Sequence, residues 1–96
     1  MVKPLAVRVG LRDIGENLRH WRKLLKLSQK DLAVRADVSV PTVQRLESGA
    51  GASLENLLKV TQALGPLTDV VEATNPWTNS RGQLLASAEL EGRSRR

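Results

Sequence analysis

Three residues, Asp37-Val38-Ser39, separate two helix-patterned segments that are each about two turns long. The first opens with Ser28-Gln29-Lys30-Asp31, a hydroxyl cap with a carboxylate three residues on, the spacing by which side chains and backbone N–H groups satisfy one another at a helix start. Leu32, Ala33 and Ala36 face inward from it. The second opens at Ser39, places Pro41 in the first turn, where no intrahelical N–H is required, turns Val43 and Leu46 inward, and ends at Gly49. A connection this short forces a sharp crossing rather than an antiparallel hairpin, and Val38 must point into the angle between the two helices.

The flanking chain reads mostly as helix. Asp13 and Glu16 have capping-box spacing and mark the expected start of a first helix running to about Lys26, with Ile14, Leu18, Trp21 and Leu25 along one face. Upstream, Leu5, Val7 and Val9 alternate with Ala6 and Arg8, a period that fits a short strand pairing with another subunit or the tail and fits equally a flexible arm. Downstream of the loop Gly49-Ala50-Gly51-Ala52, Ser53 caps a fourth helix with Leu54, Leu57, Leu58, Thr61 and Leu64 as its stripe, stopped by Gly65-Pro66. A short fifth helix is expected from about Leu67 to Ala73, and Asn75-Pro76 breaks it. The rest is a polar tail with a basic end, Arg93-Ser94-Arg95-Arg96, and a weakly patterned helical stretch from Gln83 to Leu90.

Composition narrows the chemistry. A chain of 96 residues with 41% hydrophobic residues forms a single small domain with a modest core. It contains no Cys and one His, His20, so no thiolate site or second imidazole completes a metal site, and no nucleophile–His–acid set can be assembled. His20 reads as a solvated side chain. The Gly-Ala loop lacks the Lys and Ser/Thr of a phosphate loop. The expectation is a non-enzyme with no cofactor and no metal. No run is long enough to span a bilayer, and the first ten residues are too weakly apolar for a secretory signal, so a cytoplasmic location without membrane attachment is expected.

Charge is unevenly spread. Residues 1–35 carry nine bases against three acids, residues 36–75 two against five, and residues 76–96 four against two. A basic first third points to a polyanion. With only Trp21 and Trp77 as aromatics, a base-stacking surface built from aromatic rings is a poor option.

The segment from Ile14 to Gly65 resembles the helix-turn-helix domain of the Xre/Cro/phage-repressor family. The resemblance is carried by Ile14-Gly15-Glu16, Leu18-Arg19, Arg22, Leu27-Ser28-Gln29, Leu32-Ala33, Val38-Ser39, Val43, Leu46-Glu47 and Gly49. Lys26 and Asp37 stand where that family usually has Gly, which implies a local backbone cost at two helix ends. The resemblance implies that Gln29, with Lys30 beside it, meets the phosphate backbone at the start of the second helix. It implies that Ser39, Val40, Pro41, Thr42, Gln44 and Arg45 belong to a recognition helix in the major groove. Gln44 is suited to adenine and Arg45 to guanine or a phosphate; Val40 and Pro41 offer apolar contact only. Arg22 and Glu47 match an ion pair that ties the first helix to the end of the third.

The expected architecture is all-α: an N-terminal arm or strand over residues 1–12, a five-helix, lambda-repressor-like helix-turn-helix domain over 13–74, and a C-terminal tail over 75–96. Such modules act as symmetric dimers on palindromic double-stranded DNA with half-sites about 34 Å apart. Leu5, Val7, Val9, Leu67, Val70, Val71 and Trp77 are the expected dimer or partner contacts. The stretch from Ser53 to Gly65 followed by a tail is similar to small antitoxins that repress their own operon, which implies a cognate toxin as partner. Two alternatives stay open: a free-standing phage or plasmid repressor, and a protein-interaction module that has lost DNA binding. The tail fits a segment that folds on a partner, an arm along DNA, or a terminus without a role.

Overall fold

The computed structural model describes residues 2–94, and these are all-helical. Six α-helices follow in order: α1 (Leu5–Leu24), α2 (Gln29–Ala36), α3 (Val40–Ser48), α4 (Leu54–Leu64), α5 (Leu67–Ala73) and α6 (Ser80–Ser94), with a 3₁₀ turn over Pro76–Thr78 before the last.

Local chemistry sets most of the boundaries. Ser28 Oγ accepts from the Asp31 N–H and Asp31 returns a bond from the Ser28 N–H, each at 3.0 Å. Ser39 and Ser53 cap α3 and α4 through the N–H groups of Thr42 and Asn56. The first three helices end alike, in a left-handed residue: Lys26 at φ 62°, Asp37 at 55° and Gly49 at 80°. The next N–H then bonds the carbonyl five residues back (Leu27 to Arg22, Val38 to Ala33, Ala50 to Arg45), which satisfies carbonyls the helix leaves over and turns an apolar residue inward. Only Gly49 adopts this conformation without a Cβ penalty. The two departures from the family pattern therefore sit where the backbone pays most for a side chain.

The core is formed by Leu18, Leu27, Leu32, Ala33, Ala36, Val43, Leu46, Val60 and Leu64, with Val38, Val40, Leu57 and Ala63 packed against it. Val38 occupies the angle between α2 and α3 as its position demands. Thr61 is fully buried, and its hydroxyl donates to the Leu58 carbonyl at 3.0 Å. On α4 Thr61 and Leu64 of the expected stripe are buried and Leu57 packs against the core, joined by Val60, while Leu54 at the start of the helix is exposed.

Three expectations are corrected. Leu5 to Val9 form neither strand nor arm but the first turns of α1, which starts after Pro4 with no side-chain cap; Asp13 lies mid-helix. Leu5 to Arg8 are exposed; the α3–α4 loop meets α1 further on, at Leu11 and Arg12, where a Cβ on Gly49 would lie 3.1 Å from the Arg12 Cα, and the helix propagates outward from that packed turn. The α1 face that packs is Gly15, Leu18 and Arg22, whereas Ile14, Trp21 and Leu25 stay close to half exposed. The tail carries a sixth helix, longer than Gln83 to Leu90: Asn79 Oδ1 accepts from the N–H groups of Arg81 and Gly82, and Gln83 donates to the Trp77 carbonyl at 2.6 Å. A Cβ on Gly82 would collide with the Pro76 backbone, so this glycine lets α6 rest on the 3₁₀ turn. Of the basic end, Arg95 and Arg96 lie outside the described residues.

The radius of gyration is 17.4 Å and the extents are 58 × 31 × 20 Å. A compact chain of this length measures roughly 12–13 Å. Helices α1 to α5 pack on one another, while α6 packs chiefly on the 3₁₀ turn and projects from the bundle.

Candidate nucleic-acid interface

Helix α3 buries Val43 and Leu46 and leaves Pro41, Gln44 and Arg45 exposed, with Val40 and Thr42 half-buried. Its polar side is open to solvent. The Ser39 hydroxyl is engaged, accepting from the Thr42 N–H at 3.1 Å and lying 2.8 Å from the Thr42 hydroxyl. Val40 contributes to the core as well as to the surface.

The orientation of α3 is set from behind. Arg22 on α1 donates from Nε to Glu47 Oε2 at 2.7 Å and from Nη2 to Oε1 at 2.9 Å, while Nη1 donates to the Leu27 carbonyl at 2.9 Å. The two side chains are only 10% and 6% exposed. Out of water, a two-point guanidinium–carboxylate grip fixes angle as well as distance, and it raises the Arg22 pKa, the hydrogen bond to Glu47 being the largest cause. Gly15 allows α1 to approach closely enough for this grip, since a Cβ there would strike the Leu46 carbonyl oxygen and lie 2.8 Å from that of Glu47.

A polar chain leads from this pair to the surface. Gln29 Nε2, at the start of α2, donates to Glu47 Oε1 at 3.3 Å, and Gln44 Nε2 donates to Gln29 Oε1 at 3.5 Å. The buried ion pair is thus connected to the two amides expected to meet phosphate and base. The resemblance anticipated the Arg22–Glu47 pair and, separately, Gln29; the links from Glu47 through Gln29 to Gln44 were not legible because they need α1, α2 and α3 in register.

Clefts flank α3 on both sides. One, of about 570 Å³, is lined by Arg19, Ser28, Gln29, Gln44 and Ser48 together with the ion pair. The other, of about 600 Å³, is lined by Lys3, Thr42, Arg45, Ser53 and Asn56 with Leu11 and the Gly51 loop. Arg19, Ser48, Lys3, Ser53 and Asn56 were not singled out from the sequence as interface residues. Arg19 had a signal, standing one turn before Arg22; the others are placed only by the fold. Lys30 is exposed on α2 outside both clefts.

The arrangement is a short helix with an open polar face, held by a buried clamp and bordered by cationic grooves. A family model described as helix-turn-helix matches residues 18–70, more than half of the chain. The chain belongs to the helix-turn-helix family. Members are DNA-binding transcription regulators rather than enzymes, in line with the resemblance noted from the sequence. No curated protein and no solved structure matches the chain. In this helix-turn-helix protein the matched span contains the clamp, Gln29 and all of α3. It leaves out most of α1 and all of α6.

The expected contact residues lie on the periphery. Leu5, Val7, Val71 and Trp77 are exposed, and Val9, Leu67 and Val70 half-buried. Val70 lines an apolar groove with Ile14, Trp21, Leu57 and Pro66. Among the described residues no helix is long and apolar enough to cross a membrane.

Proposed function

We propose that this protein is an autorepressor of the antitoxin type, binding a palindromic operator as a symmetric dimer. The observation that carries the reading is the solvent-open face of α3, whose register is locked from behind by Arg22, Glu47 and Gln29. Inserted in a major groove, Gln44 pairs with adenine and Arg45 with guanine or a phosphate. Gln29 and Lys30 meet the backbone at the start of α2, and Ser39, Val40, Pro41 and Thr42 contact the groove edge. Few of these side chains donate to base edges, so much of the affinity comes from phosphates and DNA shape.

The dimer contacts are Leu67, Val70 and Val71 of α5 with Leu5, Val7 and Val9 of α1. A toxin partner is favoured over a free-standing repressor by α6, which holds Leu84, Leu85 and Leu90 exposed beside Trp77, away from the bundle. The test is fluorescence anisotropy on the DNA upstream of the protein's own reading frame, at several salt concentrations. Steeply salt-dependent binding supports the reading; salt-independent or absent binding overturns it in favour of a protein-interaction module. A toxin-like reading frame overlapping this one supports the antitoxin assignment, and its absence favours the plain repressor.

A further inference from the structure

We infer that the N-terminal extension of α1 carries a DNA-backbone contact of its own, in which Lys3 and Arg45, lining one cleft, share a phosphate of the duplex. The inference rests on the reading of α3 as the groove helix and extends it to a segment outside the family-matched residues.

The path of the extension is fixed by packing. The close approach of Arg12 to Gly49, and of Leu11 Cδ2 to the position a Gly51 Cβ would take, 3.9 Å away, seats the second turn of α1 against the α3–α4 loop. This brings Lys3 to the cleft of about 600 Å³ that Arg45, Thr42, Ser53 and Asn56 also line. No carboxylate lines it. Among the described residues neither Lys3 nor Arg45 has an ion-pair partner, and Arg45 only reaches the Ala50 carbonyl at 3.4 Å. Two cations from distant parts of the sequence share one polar cleft that lacks a counter-charge. An anion between them removes their mutual repulsion and supplies the missing partner.

Position identifies the anion. Thr42 and Gln44 point to opposite sides of α3, about 200° apart around the helix axis. The Gln44 side opens on the Arg19–Gln29 cleft and the Thr42 side on the Lys3 cleft. A helix seated in a major groove has one DNA strand on each side, so each cleft meets a backbone. A lysine ammonium is a compact point charge without the planar fork of Arg, which matches a phosphate contact rather than base readout.

The experiment uses the full chain and a labelled duplex carrying its own upstream sequence, beside a scrambled duplex, across a salt series. Lys3→Ala is compared with wild type, Lys3→Arg and Arg81→Ala, the last removing one positive charge on α6. Lys3 precedes α1 and is exposed, so its removal leaves the fold intact, checked by circular dichroism. The expected result is a salt slope shallower by about 0.9 for Lys3→Ala, an equal affinity loss on both duplexes, recovery in Lys3→Arg, and a wild-type slope in Arg81→Ala. A wild-type slope in Lys3→Ala overturns the inference while leaving the groove reading of α3 intact. The same loss in Arg81→Ala also overturns it, because net charge then accounts for the effect. A wild type without salt-dependent binding overturns both.

Discussion

Arg22 on α1 and Glu47 on α3 are joined by two nearly parallel hydrogen bonds, 2.7 and 2.9 Å long, at a point where both side chains are almost wholly removed from water. Glu47 sits one residue past Leu46 and one turn after Gln44, at the border between the buried face of α3 and the proposed DNA probe. The pair therefore sets the angle at which α3 is presented. Removing one partner leaves the other charge buried, at a cost of about 3–5 kcal/mol. Glu47→Ala is expected to show a loss of that size in urea denaturation. Replacing both charges, Arg22→Met with Glu47→Leu, is expected to recover most of the stability, because well-packed apolar pairs replace buried ion pairs at little cost. Operator selectivity in the double variant is expected to remain impaired, as apolar contact does not fix angle. Full selectivity in that variant would deny the pair its orienting role.

Two glycines of α1 give opposite answers to the same substitution. Nothing lies within 4 Å of a Cβ at Gly10, so Gly10→Ala is expected to stabilise by roughly 0.5–1 kcal/mol through helix propensity alone. At Gly15 the added methyl meets the carbonyl oxygens of Leu46 and Glu47, and backbone atoms cannot rotate away. Gly15→Ala is expected to destabilise by roughly 1–3 kcal/mol and to weaken DNA binding by displacing α3. Thermal melts of the two variants check both signs.

Lys26 holds φ 62° at the end of α1, a conformation that crowds its Cβ against the backbone. Lys26→Gly relieves that crowding but loosens the unfolded chain, and the expected net gain is roughly 0.5–1 kcal/mol. The Leu27 N–H bond to Arg22 survives the change, so DNA affinity at matched ionic strength should fall only by the loss of one surface charge.

The α2 cap gives a pH signature. The Ser28 N–H bond to Asp31 is the largest cause of a lowered Asp31 pKa, followed by the Ser28 side chain. A carboxyl group whose pKa is depressed on folding adds stability above its unfolded pKa and loses it as pH falls through the folded value. The stability difference between wild type and Asp31→Ala is therefore expected to be full at neutral pH and to shrink on acidification below the ordinary aspartate pKa. A gap that is constant with pH would assign the cap's contribution to the Ser28 hydroxyl alone.

The parts of this fold legible in the sequence are those whose signals are local. Ser28, Ser39, Ser53 and Gly49 each mark a boundary through atoms within a few residues, and α2 to α4 start or stop there. The start of α1 is different: Pro4 offers no capping side chain, five alternating residues are too few to separate a strand from a helix turn, and Asp13 and Glu16 have cap spacing in mid-helix. The buried face of α1 escaped because it is made of a glycine and an arginine where the eye follows Ile14 and Trp21. Helix α6 has apolar residues on all sides, so periodicity is silent, and the role of Gly82 emerges only with Pro76 beside it. In the site, the identities of Arg22, Gln29 and Glu47 came from resemblance; their continuity through to Gln44 is a product of three helices meeting.

The most direct test of the account compares Gln44→Ala and Arg45→Ala with wild type on the protein's own upstream DNA and on a scrambled duplex at one salt concentration. If α3 reads bases, the Gln44 variant, and the Arg45 variant where it contacts guanine, should lose about 1–3 kcal/mol on the operator and little on the scrambled sequence. Equal losses on both duplexes for both variants, or no loss on either, would contradict the claim that this helix is the reader.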